Sequence, residues 1–147
     1  MPTTPAPADT QADLAAHLRL SVTRLARRLR QQADVDASPT QLAALATVEH
    51  RGPITLGDLA AAERVQPPTI TAAVGRLEQQ GLVVRRPDRA DKRVVRVAVT
   101  AAGRRLLARN RSLKTAFLAR RLDTLDPSER ATLEDAAVLL DRLLDEP

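Results

Sequence analysis

The stretch "QPPTITAAVGRLEQQGLVVRRPDRADKRVVRVAVT", residues 66–100, changes its period halfway along. Before Gly81 the apolar residues Ile70, Val74 and Leu77 recur at steps of 4 and 3, which puts them on one helix face. Thr69, Thr71, Ala72 and Arg76 fall on its other faces. Two adjacent prolines, Pro67 and Pro68, break a helix interior but suit a first turn, where backbone N–H groups have no helical partner. They start this helix, and Gly81 stops it. Beyond Gly81 the period is two. Leu82 and Val84 face one way and Val83 and Arg85 the other; Val95, Val97 and Val99 face inward, Arg96 and Ala98 outward. Two such strands around a charged loop make a hairpin.

Working outward, residues 12–33 carry Leu14, Leu18, Val22, Leu25 and Leu29 at helical spacing, with arginines largely off that stripe. Ser38, Pro39 and Gln41 form a capping box for a second helix through about His50, with Leu42, Leu45 and Val48 inward. "ITL" at 54–56 is a short extended piece, and Thr55 caps a third helix over about 56–64. After the hairpin, Thr100 opens a long helix to about Leu125. "DPSE" at 126–129 is another capping box, and the last helix carries Leu133, Ala136, Ala137, Leu140, Leu143 and Leu144. The chain thus reads as mainly α with a small β-hairpin: a helix-turn-helix followed by a wing, its fourth helix placed for recognition. We expect a disordered tail over 1–11, a DNA-binding domain over 36–100, and dimerisation helices over 12–35 and 101–147. The terminal stripes, with Leu14, Leu18, Leu140 and Leu143, are longer than a winged helix needs for its own core.

The net charge of +5 is unevenly spread. Residues 1–84 hold 8 cations and 8 anions, residues 85–111 hold 10 and 2, and residues 112–147 hold 5 and 8. The whole positive excess lies in one segment, the electrostatic footprint of a polyanion partner. Base stacking is not the means, because Phe117 is the only aromatic residue; this argues against single-stranded nucleic acid.

Other classes fit poorly. Without cysteine there is no disulfide, reactive thiol or thiolate metal site. His17 and His50 are far apart in sequence, so we expect no metal and no cofactor. No phosphate loop, nucleophile elbow or metal-binding spacing occurs, and "EHRG" at 49–52 lacks a third catalytic member, so no enzyme is expected. The start has no basic n-region or apolar h-region, and no apolar run approaches the roughly 18 residues of a membrane span. A cytoplasmic protein without a membrane partner is expected. The rival reading is a winged helix used as a protein-interaction module, which leaves the basic segment unexplained.

The chain resembles the multiple-antibiotic-resistance regulator (MarR) family of winged helix-turn-helix transcription factors. The resemblance runs from about residue 12 to 145 and is carried by Thr69 and Thr71, "RLEQQGL" at 76–82, Asp91 with Arg93, and "VTAAG" at 99–103. It implies a homodimer on a pseudo-palindromic double-stranded operator, and a repressor released by a small-molecule effector. On this reading Arg93 enters the minor groove, whose negative potential attracts arginine. Asp91 holds it, Arg89 and Lys92 add phosphate contacts, and Arg85 and Arg86 add others at the wing base. Asp88 is a turn residue beside Pro87. Gln66, Pro68, Thr69 and Thr71 face the major groove, with Arg76 on phosphate or on Glu78 or Glu49. Ala72 and Gly75 depart from the family's usual arginine and acid. His17, Arg19, His50 and Phe117 lie on segments that could line an effector site.

Overall fold

The computed structural model describes residues 7–33 and 36–145. Its elements are α1 (Pro7–Arg30), α2 (Pro39–Arg51), β1 (Ile54–Thr55), α3 (Leu56–Glu63), α4 (Pro67–Gln79), β2 (Val83–Pro87), β3 (Val95–Val99), α5 (Ala101–Leu122) and α6 (Pro127–Leu144). The first helix begins at Pro7, so residues 7–11 of the expected tail are helical, and residues 1–6 lie outside the described part. The chain divides into two compact units, residues 30–112 and residues 1–29 with 113–147. The first twelve residues of α5 therefore belong with the helix-turn-helix, where the sequence reading placed them with the terminal helices.

In unit 30–112, α2 starts on the expected capping box: Ser38 Oγ accepts from the Gln41 N–H, and Gln41 Oε1 accepts from the Ser38 N–H, both at 3.2 Å. Leu45, Val48, Leu59, Ile70, Val74, Leu77, Val83 and Val97 are fully buried and form one core. Ala44 and Ala73 are buried too, whereas Leu42 is only half-buried. A periodicity argument built on large residues passes over such alanines.

The hairpin is part of a three-stranded antiparallel sheet in the order β1-β3-β2. β3 has two edges; β2 takes one, with Val83 opposite Val99 and Arg86 opposite Arg96. The "IT" piece takes the other, with Ile54 opposite Val97 and Thr55 opposite Arg96. On β2 the inward residue is Val83, and Val84 is half-buried. Val95, expected inward, is 47% exposed, because it pairs with Pro87 at the far end of the sheet, near the wing loop.

The end of α4 is joined to the start of α5. Gly81 has φ +72°. Its N–H donates to the Glu78 carbonyl at 3.0 Å and the Leu82 N–H to the Leu77 carbonyl at 2.9 Å, a Schellman cap. Thr100 Oγ1 donates to the Gly81 carbonyl at 2.7 Å and accepts from the Gly103 N–H at 3.1 Å. Gly103 lies so close to the residue preceding β2 that a Cβ there would be 2.3 Å from the Leu82 carbonyl oxygen.

The other unit contains α1, the end of α5, and α6, which starts on the Asp126–Glu129 capping box. None of its described residues is buried. Leu14 is 57% exposed, Leu18 38%, Leu140 37% and Leu143 73%.

Candidate nucleic-acid interface

α3 is capped by Thr55, whose hydroxyl accepts from the Asp58 N–H at 3.1 Å. It ends at Arg64, which takes the left-handed conformation at φ 53°. There the Arg64 and Val65 N–H groups donate to the Ala61 and Ala60 carbonyls at 3.2 and 3.1 Å. This is a glycine's position occupied by arginine. Gln66, extended, then caps α4, and Pro67 and Pro68 fill its first turn as expected.

With Ile70, Val74 and Leu77 turned into the core, Gln66, Pro68, Thr69, Thr71, Ala72 and Arg76 are exposed on α4. Thr71 Oγ1 donates to the Pro67 carbonyl at 3.0 Å. Its proton is committed, which leaves a lone pair and a methyl group for a partner. Arg76 meets neither acid the sequence suggested. Glu78 receives Arg85 Nε at 2.6 Å, and Glu49 receives both terminal nitrogens of Arg111, at 3.0 and 3.5 Å. Residues two apart on a helix point to different sides, so Glu78 turns towards β2 and away from Arg76.

The wing loop is organised by two aspartates. Asp88 Oδ2 accepts from the Ala90 and Asp91 N–H groups, each at 3.1 Å, while Oδ1 accepts from Arg96 Nε at 2.6 Å. Asp88 is the turn residue expected, and it also anchors Arg96, a contact legible only once the hairpin register is known. Asp91 holds Arg93 with both oxygens: Nε on Oδ1 at 3.1 Å and Nη2 on Oδ2 at 3.2 Å. The Arg93 N–H adds a bond to Oδ1 at 3.1 Å. The Arg93 side chain is nevertheless 91% exposed. The Arg96 and Arg93 guanidiniums, followed by the backbone N–H donors, hold the carboxyls of Asp88 and Asp91 below the usual value of 3.8.

Arg86, Arg89 and Lys92 are exposed and make no ion pair among the described residues, as is true of Arg64 in the turn. Arg64 was missed by sequence reasoning: its turn contains no glycine to mark a left-handed residue. On α5, Arg104, Arg105 and Arg109 are likewise exposed and unpaired.

Of the suggested effector residues, His17, Arg19 and Phe117 belong to the unit of terminal helices and His50 to the helix-turn-helix unit. His17 and Arg19 are exposed on α1, and His50 is exposed in the last turn of α2. Phe117 is half-buried on α5, with the Arg121 guanidinium 5.3 Å from its ring centre. None of the four lines the two apolar clefts of the terminal helices. One, of about 490 Å³, is walled by Leu14, Leu18, Leu139, Leu140 and Leu143. The other, of about 510 Å³, is walled by Leu25, Leu118, Leu122, Leu133 and Leu140. No described helix is long and apolar enough to cross a membrane.

Residues 37–95 match the model of the MarR family. An HTH-type transcriptional regulator of Mycobacterium bovis is 42% identical over 139 residues, covering 94% of this chain and 97% of that protein. A Pseudomonas aeruginosa protein solved as a candidate transcriptional regulator superposes with a TM-score of 0.84 at 40% identity, over 97% of this chain and 100% of its own. A variant of Staphylococcus aureus MepR, solved bound to an oligodeoxyribonucleotide, shares the fold: TM-score 0.70 at 18% identity, over 90% of this chain and 98% of its own.

Proposed function

The chain belongs to the MarR family of transcriptional regulators, which are not enzymes, and from that premise we propose that it acts as a homodimer on a pseudo-palindromic duplex operator. The observation that carries this reading is the wing: an arginine 91% exposed yet held by both oxygens of its neighbouring aspartate. Such a guanidinium is oriented before it meets DNA, so less rotamer entropy is lost on insertion into a narrow minor groove. The exposed face of α4 supplies the major-groove set, Gln66, Pro68, Thr69 and Thr71, with Arg76 free for phosphate. Arg86, Arg89 and Lys92 add phosphate contacts around the wing.

Dimerisation is supported by the terminal helices. A unit in which Leu143 is 73% exposed and no described residue is buried has left its apolar stripes without a covering surface. A second copy covers them and sets two recognition helices roughly 34 Å apart, one turn of DNA. Repression by occupying the operator, and release by a small molecule, rest on family membership. The cytoplasmic location that goes with this reading rests on family membership.

The test is salt-dependent binding to operator duplexes selected from the host genome. With about 4 to 5 phosphates neutralised per protomer, log K against log salt should fall with a slope near −8. A slope shallower than about −3, or a footprint covering a single half-site, overturns the reading.

A further inference from the structure

We propose that the solvent face of the wing sheet carries an oxyanion site, built by Arg86, Arg96 and Arg89, that takes a phosphate group. It deepens the DNA-binding reading above by assigning Arg96 and a shaped cleft, separate from the groove-reading Arg93. Arg86 and Arg96 are directly opposite in the β2–β3 register. Because side chains alternate along a strand, both stand on the face opposite Val83 and Val97, which are buried in the core. Like charges directly across a strand pair repel unless an anion lies between them.

The two arginines line a cleft of about 470 Å³ together with Arg89, Asp88, Pro53 and Pro87. Three guanidiniums face one carboxylate there, and that carboxylate is already engaged. Asp88 Oδ1 accepts from Arg96 Nε, and Oδ2 accepts from two backbone N–H groups. The Asp88 side chain is only 21% exposed, so it acts as a backstop. By taking Nε, it fixes the Arg96 plane and leaves the two terminal nitrogens for a ligand. Arg86 has no ion pair among the described residues. A planar fork held on one side, a second guanidinium opposite, and rigid proline walls suit the tetrahedral oxygens of a phosphate group. The phosphate could be supplied by the DNA backbone or by a free phosphorylated small molecule.

Calorimetric titration of the DNA-free full-length protein with inorganic phosphate, against chloride at equal ionic strength, tests the site. We expect saturable binding with Kd on the order of 1 mM. Arg96→Gln and Arg86→Gln should each weaken it at least about tenfold. Arg93→Gln, on the loop, should leave it unchanged, and circular dichroism checks that each variant is folded. No saturation in the parent, or equal weakening by Arg93→Gln, overturns the site; Arg86→Gln is the control should Arg96→Gln fail to fold. Operator binding in added phosphate separates the sources. Competition that disappears in Arg86→Gln identifies a DNA phosphate as the occupant; undisturbed operator binding identifies a free anion. A parent that takes phosphate but does not bind duplex DNA would remove the proposed function and leave the site standing.

Discussion

Arg93 and Asp91 show how much two residues can carry. Arg93→Ala removes a charge-assisted contact and should weaken binding to every duplex by roughly 1.5–3 kcal/mol, measured by fluorescence anisotropy. The loss should be larger with A·T-rich flanks, where the groove is narrow. Asp91→Ala removes a negative charge from the loop proposed to bind DNA, and on charge alone should strengthen binding. We expect the opposite, a partial copy of Arg93→Ala, because the freed side chain must be ordered on binding. Tighter binding by Asp91→Ala at moderate salt would make the wing a diffuse positive surface. The same contacts set a pH dependence. The carboxyls of Asp88 and Asp91 titrate below 3.8 in the folded chain, so their contribution to wing order is complete above the ordinary carboxylate pKa. It is lost only as the pH falls through the lowered folded values. Carbon-13 NMR titration should find both midpoints below 3.8, and Arg96→Gln should move the Asp88 midpoint up towards 3.8. The local residue chemistry was legible: Asp91 and Arg93 are two apart, so the pairing needs no fold. The partners of Asp88, Glu78 and Glu49 were not, because each is an arginine delivered by another element or strand.

At the scale of elements, the caps and the close approaches matter most. Arg64 holds a left-handed conformation that costs an L-residue roughly 1–2 kcal/mol. Arg64→Gly should raise stability by about 0.5–1 kcal/mol in urea unfolding, after allowing for glycine's greater freedom in the unfolded chain. An unchanged or lower midpoint would mean that the Arg64 side chain stabilises the turn. Gly103 is the reverse case. A Cβ would stand 2.3 Å from the Leu82 carbonyl oxygen and 2.8 Å from Val99 Cγ2. The first neighbour is backbone and cannot turn aside, so Gly103→Ala should destabilise the fold by about 1–3 kcal/mol through overpacking, despite alanine's better helix propensity. Thermal unfolding at or above the parent temperature would mean that α5 moves away from Leu82 and Val99 at little cost. The capped starts of α2, α3, α4 and α6 were readable because each depends on residues within one turn; the left-handed stop at Arg64 was not, because no glycine marks it. The third strand was not: two residues, Ile54 and Thr55, have no periodicity of their own, and only the free edge of β3 makes them a strand.

At the scale of the whole molecule, the terminal helices distinguish one copy from two. Leu143 is 73% exposed in the single chain, so an aspartate there costs a monomer little. In a dimer that covers this stripe, the same aspartate is a buried unpaired charge, costing several kcal/mol. Leu143→Asp and Leu140→Asp should therefore sediment as monomers, Leu143→Asp remaining folded in its helix-turn-helix unit. Stable dimers of both variants would put the covering surface elsewhere.

The sequence by itself determined the helices and the hairpin, most of their caps, the exposed face of α4 and the Asp91–Arg93 clamp, because all of these rest on interactions between residues a few positions apart. Tertiary structure alone decided that Arg85 pairs with Glu78, Arg111 with Glu49 and Arg96 with Asp88, that β1 completes the sheet, and that residue 103 must lack a Cβ. The physical reason is reach. A hydrogen bond or a steric contact acts over a few ångströms, and which distant residues come within that distance depends on strand register and helix packing.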